Sequence, residues 1–303
     1  MSPASLVQAL VALLTGLVGS ADPAVARMSP REKAATVVVS GLPAPAGVAG
    51  VIVRPWDRDL PRPPGALVFV DQEGGMVKGL SELPPWRPAS AWESPAEALA
   101  AGRETGAALR RAGVHADFAP VLDLPDGPLG SRHFRRPEVA LAFGRGLVDA
   151  GIAACAKHFP GLGSTPVSTD ERLRVFGRVR PAEVEAFWRA GRELPCVMVG
   201  HAVYPARGKR SASFSPWAYR LLRQRGFDGV AITDSLGVFG STLAPYWGTS
   251  AIRAGADLVL YTKAADAERA IHALVPLARR GELDAKVARV LRFRRHWLRA
   301  PRR

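Results

Sequence analysis

Eight short apolar runs rich in β-formers recur along the chain, each followed by a longer stretch with helical character, from about residue 26 to the end. They fall at Thr36–Ser40, Gly50–Val53, Ala66–Val70, His115–Val121, Ile152–Lys157, Cys196–His201, Gly229–Thr233 and Ala256–Tyr261. Strand and helix in strict alternation is the mark of βα units on a parallel sheet, because parallel neighbours need a crossover connection. Eight such units predict a closed (β/α)8 barrel, a TIM-type single domain. An open doubly wound sheet is the other arrangement that this alternation allows. Helix starts agree with the parsing: Ser29-Pro30-Arg31-Glu32 and Ser94-Pro95-Ala96-Glu97 both have capping-box form with proline at the first helical position.

The 303 residues and 48% hydrophobic content suffice for one large core. The domain reading is an N-terminal extension over residues 1–25 and a barrel over 26–303. The apolar stretch Leu6 to Val18 is too short to span a bilayer and lacks a basic leader. A helix lying on the barrel is expected there, in a cytoplasmic protein, although Gly19-Ser20-Ala21 also fits a degenerate export signal. Arg299 to Arg303 reads as a frayed end. Cys155 and Cys196 sit inside apolar runs and read as small buried side chains, with neither a metal cluster nor a disulfide suggested. The net charge of +14 could attract polyanions. No arginine run is interleaved with aromatics, however, so a solvated basic surface is expected and no nucleic-acid partner. Nothing fixes the oligomeric state.

In a barrel of this type, chemistry belongs directly after the carboxyl ends of strands. The polar residues at those places are Asp71-Gln72-Glu73, Asp123, Lys157-His158, His201 and Asp234. Carboxylates with a lysine and a histidine suit glycoside hydrolysis, where one carboxylate attacks an oxocarbenium-like centre and a second group protonates the leaving oxygen. Singly, each has a plainer explanation: Asp234-Ser235 could cap a helix, His201 could be a hydrogen-bonded core group, and Gly74-Gly75 could be only a tight turn.

Taken in order, the motifs carry a resemblance. Val70 to Gly75 (VDQEGG), His115 to Asp123 (HADFAPVLD), Ala156 to Gly161 (AKHFPG) and Gly226 to Asp234 (GFDGVAITD) resemble the successive signatures of glycoside hydrolase family 3, in its single-domain β-N-acetylglucosaminidase branch. The resemblance implies a retaining hydrolase of terminal β-linked N-acetylhexosamine, often on peptidoglycan fragments, working without a cofactor or metal on a carbohydrate substrate. It implies Asp234 as nucleophile, Asp71 on sugar hydroxyls, Lys157 and His158 on the same ring, and Arg132 as a substrate-binding arginine. His201 joins these as a substrate-binding candidate.

The loop after Lys157-His158 departs from the branch. Where the branch reads Pro-Gly-His-Gly followed by an Asp-x-His dyad, this chain has Leu162 and then Ser168-Thr169-Asp170-Glu171-Arg172. No histidine stands there to act as general acid/base, and an arginine cannot release a proton at neutral pH. Asp170 and Glu171 are the replacement candidates. Gly79 and Met76 stand where arginines are usual, which thins the sugar contacts. A sugar-binding protein of the same fold that has lost turnover is the alternative reading.

Overall fold

The structure, a computed structural model, describes residues 22–299 except 58 and 173. Eight parallel strands close into a barrel: β1 (Val38–Ser40), β2 (Gly50–Ile52), β3 (Leu67–Val70), β4 (Ala116–Asp117), β5 (Ala153–Phe159), β6 (Cys196–Val199), β7 (Val230–Ser235) and β8 (Leu258–Tyr261). Each pairs with its neighbours in sequence, and β1 pairs with β8 to complete the ring. The predicted barrel is therefore the observed one. Its shortest strand is β4, where Pro120 removes a donor, and Val121 meets Lys157 only through an isolated bridge.

Around the barrel lie α1 (Pro30–Thr36), α2 (Pro95–Arg111), α3 (Pro137–Asp149), α4 (Pro181–Glu193), α5 (Pro216–Arg223), α6 (Ala244–Ala254), α7 (Ala264–Arg279) and α8 (Asp284–Arg299). Period-2 alternation sorts the strand residues into two cores. Val39, Ile52, Phe69, Phe118, Cys155, Met198, Ile232 and Leu260 fill the interior. Val38, Val51, Val68, Ala154, Val197, Ala231 and Val259 face outward into the helix layer. Val290, Phe293 and Trp297 of α8 join the interior cluster. Their i, i+3, i+7 spacing puts all three on one helix face, so the last helix stoppers the interior of the barrel.

Two expectations need correction. Cys155 and Cys196 are buried as expected, but they are bonded as a disulfide. They occupy register partners on adjacent β5 and β6, with Cα atoms 4.3 Å apart, a pairing invisible until strand register is known. The second concerns the helix starts. Ser29 and Glu32 form the full reciprocal box at α1. At α2 Ser94 does accept from the Glu97 N–H, yet the Glu97 carboxylate accepts from the Glu93 N–H instead of closing the box on Ser94.

Most of the expected N-terminal extension, including Leu6 to Val18, lies outside the described residues, as do residues 300–303. Its last part is one helical turn, Pro23–Ala26, capped by Asp22. Among the described residues no helix is long and apolar enough to cross a membrane.

Candidate active site

The polar side chains singled out from the sequence gather at the carboxyl ends of β3 to β7. Asp71 follows β3 and leads into a two-stranded ribbon, Gln72–Gly74 with Val77–Lys78. Gln72 fixes the ribbon's root: its amide donates to the Leu80 and Pro84 carbonyls and its oxygen accepts from the Leu80 N–H. Gly74 and Gly75 turn the ribbon with φ of 102° and 60°, against Pro85 and Pro88. A side chain at either would be strained and crowded. Gly79 has no room either, since a Cβ there would strike Val70 and crowd the Val53 carbonyl. The packing around Gly79 thus leaves no room for an arginine, and Met76 projects from the ribbon 91% exposed.

A compact charge cluster follows. Lys157, buried on β5, donates to Asp71 Oδ1 and meets Glu73 Oε1, each at 2.6 Å. Arg132 grips Glu73 with two parallel bonds of 2.7 and 2.8 Å. Burial of Glu73 opposes its ionisation, but Lys157 and Arg132 outweigh it and hold the carboxyl down at about 2. Burial likewise works against the Lys157 charge, and Asp71 and Glu73 more than reverse it, raising its pKa. Asp117, at the end of β4, is the opposite case. Its Oδ1 accepts from the Gln72 N–H while Oδ2 has no partner. Burial, with the Asp71 and Glu73 charges behind it, pushes this carboxyl up to about 8. Within one cluster, then, the surroundings drive the Glu73 carboxyl down and the Asp117 carboxyl up.

Beside it, Asp123 organises the β5 loop. Its Oδ2 lies 2.7 Å from His158 Nδ1 and accepts from the His158 N–H, while Oδ1 accepts from the Leu162 N–H. His158 is buried, which disfavours its cation, yet Asp123 prevails and its pKa is raised. Asp234 is half-buried at the end of β7. Burial works against its charge, but His201, His158, the Ser235 N–H and Lys157 together bring its pKa below the ordinary value. It does not cap a following helix: its Oδ1 accepts the adjacent Ser235 N–H at 2.7 Å. His201 lies behind it, with Nδ1 2.8 Å from the Ser213 hydroxyl and Nε2 3.0 Å from the Ser235 carbonyl. A carbonyl can only accept, so Nε2 carries a proton and donates it to Ser235. Burial lowers the pKa of His201, and its ring packs against Phe214 and Phe239. With both nitrogens engaged, His201 supports Asp234 and offers no free polar atom to a ligand.

The loop after β5 treats its two acids differently. Asp170 is exposed, 3.9 Å from Arg132, and its charge reaches His201. It stands at the rim of the cluster. Glu171 turns back on its own loop, accepting from the Ser168 N–H at 3.4 Å. Leu162, in the place of a histidine, is 1% exposed and packed in the core.

Three supporting residues lacked an assigned role in the sequence. Glu73 and Asp123 carried a visible signal, a carboxylate close behind an apolar run. Glu183 carried none. From the first turn of α4 its Oε1 accepts from the Leu124 and Gly163 N–H groups, tying the β4 and β5 loops together. Burial pushes this carboxyl up to about 7.

A closed (β/α)8 barrel with carboxylates, a lysine and a histidine at one mouth has the outline of a glycoside-processing protein. The model of the glycosyl hydrolase family 3 N-terminal domain matches residues 58–293, and the chain belongs to that family. A β-hexosaminidase of Alkalilimnicola ehrlichii is 38% identical over 231 residues, covering 66% of this chain and 66% of its own length. One from Thiobacillus denitrificans is 38% identical over 205 residues, covering 59% and 56%. The chain thus spans less than two thirds of those relatives. Among solved structures, a family 3 β-N-acetylglucosaminidase from a Paenibacillus species superposes with TM-score 0.80 at 26% identity, covering 90% of this chain and 63% of that one. A β-N-acetylhexosaminidase from Beutenbergia cavernae gives 0.76 at 26%, covering 88% and 98%.

Proposed function

We propose that the barrel over residues 26–303 is a retaining β-N-acetylhexosaminidase acting on terminal β-linked N-acetylhexosamine of the kind found in peptidoglycan fragments. The observation that carries this reading is the convergence of a depressed-pKa Asp234 with His158, Lys157 and Asp71 at the mouth of the barrel. The names borne by its relatives point the same way. In the proposed reaction an Asp234 oxygen attacks the anomeric carbon as the glycosidic C–O bond breaks, and Asp170 gives its proton to the departing oxygen. Water, deprotonated by Asp170, then attacks the same carbon and releases Asp234. Asp71, Lys157 and Arg132 bind sugar hydroxyls, while His158, held by Asp123 with its pKa raised, favours the ionised form of the nucleophile.

Hydrolysis of 4-nitrophenyl β-N-acetylglucosaminide tests the assignment. Asp234→Asn should lower kcat on the order of 10⁴-fold with the fold intact by circular dichroism. Undiminished turnover would overturn it. The alternative, recognition without turnover, rests on the loop that lacks a histidine, and the hydrolase names of the relatives do not favour it.

A further inference from the structure

The net charge of +14 is not spread evenly. A cavity of about 720 Å³ runs along the outer side of α5, lined among others by Arg207, Arg220, Arg223, Lys286, Arg289 and a single acid, Asp257. Asp257 is already fully engaged. Its Oδ2 accepts from Arg223 at 2.6 Å and from the Ala231 N–H, and its Oδ1 accepts from Arg289 at 2.6 Å. Arg223 also donates to the Phe227 carbonyl. These two arginines are structural. The side chains of Arg207, Arg220 and Lys286 have no hydrogen bond or ion pair among the described residues, although the charge of Asp257 favours the Lys286 cation. Lys286 is part-buried, and an ammonium withdrawn from water beside two other cations is normally paired. The wall therefore holds three uncommitted cations, and its one carboxylate is saturated.

Separate elements bring these cations to one cavity: Arg207 comes from the loop after β6, Arg220 from α5 and Lys286 from α8. Several uncommitted cations around one cavity suit a ligand that carries more than one negative charge. Arginine and lysine both serve phosphate, and arginine's fork matches it bidentately. Trp217 and Tyr219 are the aromatic residues of the cavity wall. Trp217 packs edge-on against Tyr204, and Tyr219 is buried with its hydroxyl donating to the Ser213 carbonyl.

The geometry points to a second binding site on this barrel wall, for a phosphate-bearing polyanion held by Arg207, Arg220 and Lys286. It is independent of the glycosidase reading.

Isothermal titration with inorganic tripolyphosphate at about 0.1 M salt tests it, Trp217 fluorescence serving as a local reporter. Wild type should bind and gain thermal stability. The double variant Arg220→Gln/Lys286→Met should bind at least about tenfold more weakly, with the slope of log K against log salt reduced by about 1 to 2. Arg103→Gln, on α2 across the barrel, should bind as wild type does. The proposal fails if wild type does not bind, or if Arg103→Gln loses as much as the double variant, which would mean bulk charge only. It fails equally if poly-glutamate matches the phosphate polymer, or if an oligothymidylate of equal charge binds more tightly than either.

Discussion

Asp117 and Glu73 are two carboxyls in one cluster, and their surroundings drive them in opposite directions. Glu73 has two cations on it, while Asp117 has one backbone donor and an unpartnered oxygen. The folded-state pKa of Asp117, about 8, stands above its ordinary value near 4. Between those limits the native state holds a proton that the unfolded chain has released, so stability falls as pH rises through that window. Asp117→Asn removes the dependence. Its denaturation midpoint relative to wild type should therefore improve from pH 5 to pH 8.5, by at least one pKa unit's equivalent, about 1.4 kcal/mol. A constant difference would show that Asp117 is ionised throughout. Residue scale also separates the two loop acids. If Asp170 is the acid/base, Asp170→Asn should cut turnover of alkyl glycosides roughly 10²- to 10⁴-fold and that of dinitrophenyl glycosides far less. Glu171→Gln, whose carboxylate folds back onto Ser168, should change neither. Equal losses on both substrates for Asp170→Asn would remove it from the role.

At the scale of elements, the turn glycines and the final helix decide what the sequence alone could and could not reveal. The eight apolar runs located every barrel strand, because period-2 burial and short length are local properties. The carboxylates behind those runs were legible for the same reason. Glu183, which ties two loops from the start of α4, was not legible, since its role depends on which loops pack above the helix. The Cys155–Cys196 bond was hidden likewise, because it depends on the register of two strands. Gly79 looked like a lost arginine, whereas the packing of Val70 and Val53 around it leaves no space for any side chain. Gly79→Arg should therefore fail to restore a sugar contact and should lower stability, by about 1–3 kcal/mol as overpacking does, read by urea midpoint. Trp297 of α8, 5% exposed in the interior cluster, belongs to the barrel's stopper. Trp297→Ala should cost about 3–5 kcal/mol; a loss under 1 kcal/mol would mean that α8 is only laid against the barrel.

For the whole molecule, the barrel separates stability from chemistry. The interior and helix-facing cores are apolar, and the ionisable groups of the candidate site sit where five strands end. That separation lets the loop after β5 diverge from the branch it resembles while Asp71, Lys157, His158 and Asp234 remain assembled. The proposed reaction depends on Asp234 as its nucleophile. Incubation with 5-fluoro-β-N-acetylglucosaminyl fluoride, followed by peptide mass analysis, measures this directly. The expected result is one glycosyl mass added to the peptide containing Asp234, absent from Asp234→Asn. Turnover of the reagent without a label there, or a label on another carboxylate, would contradict it.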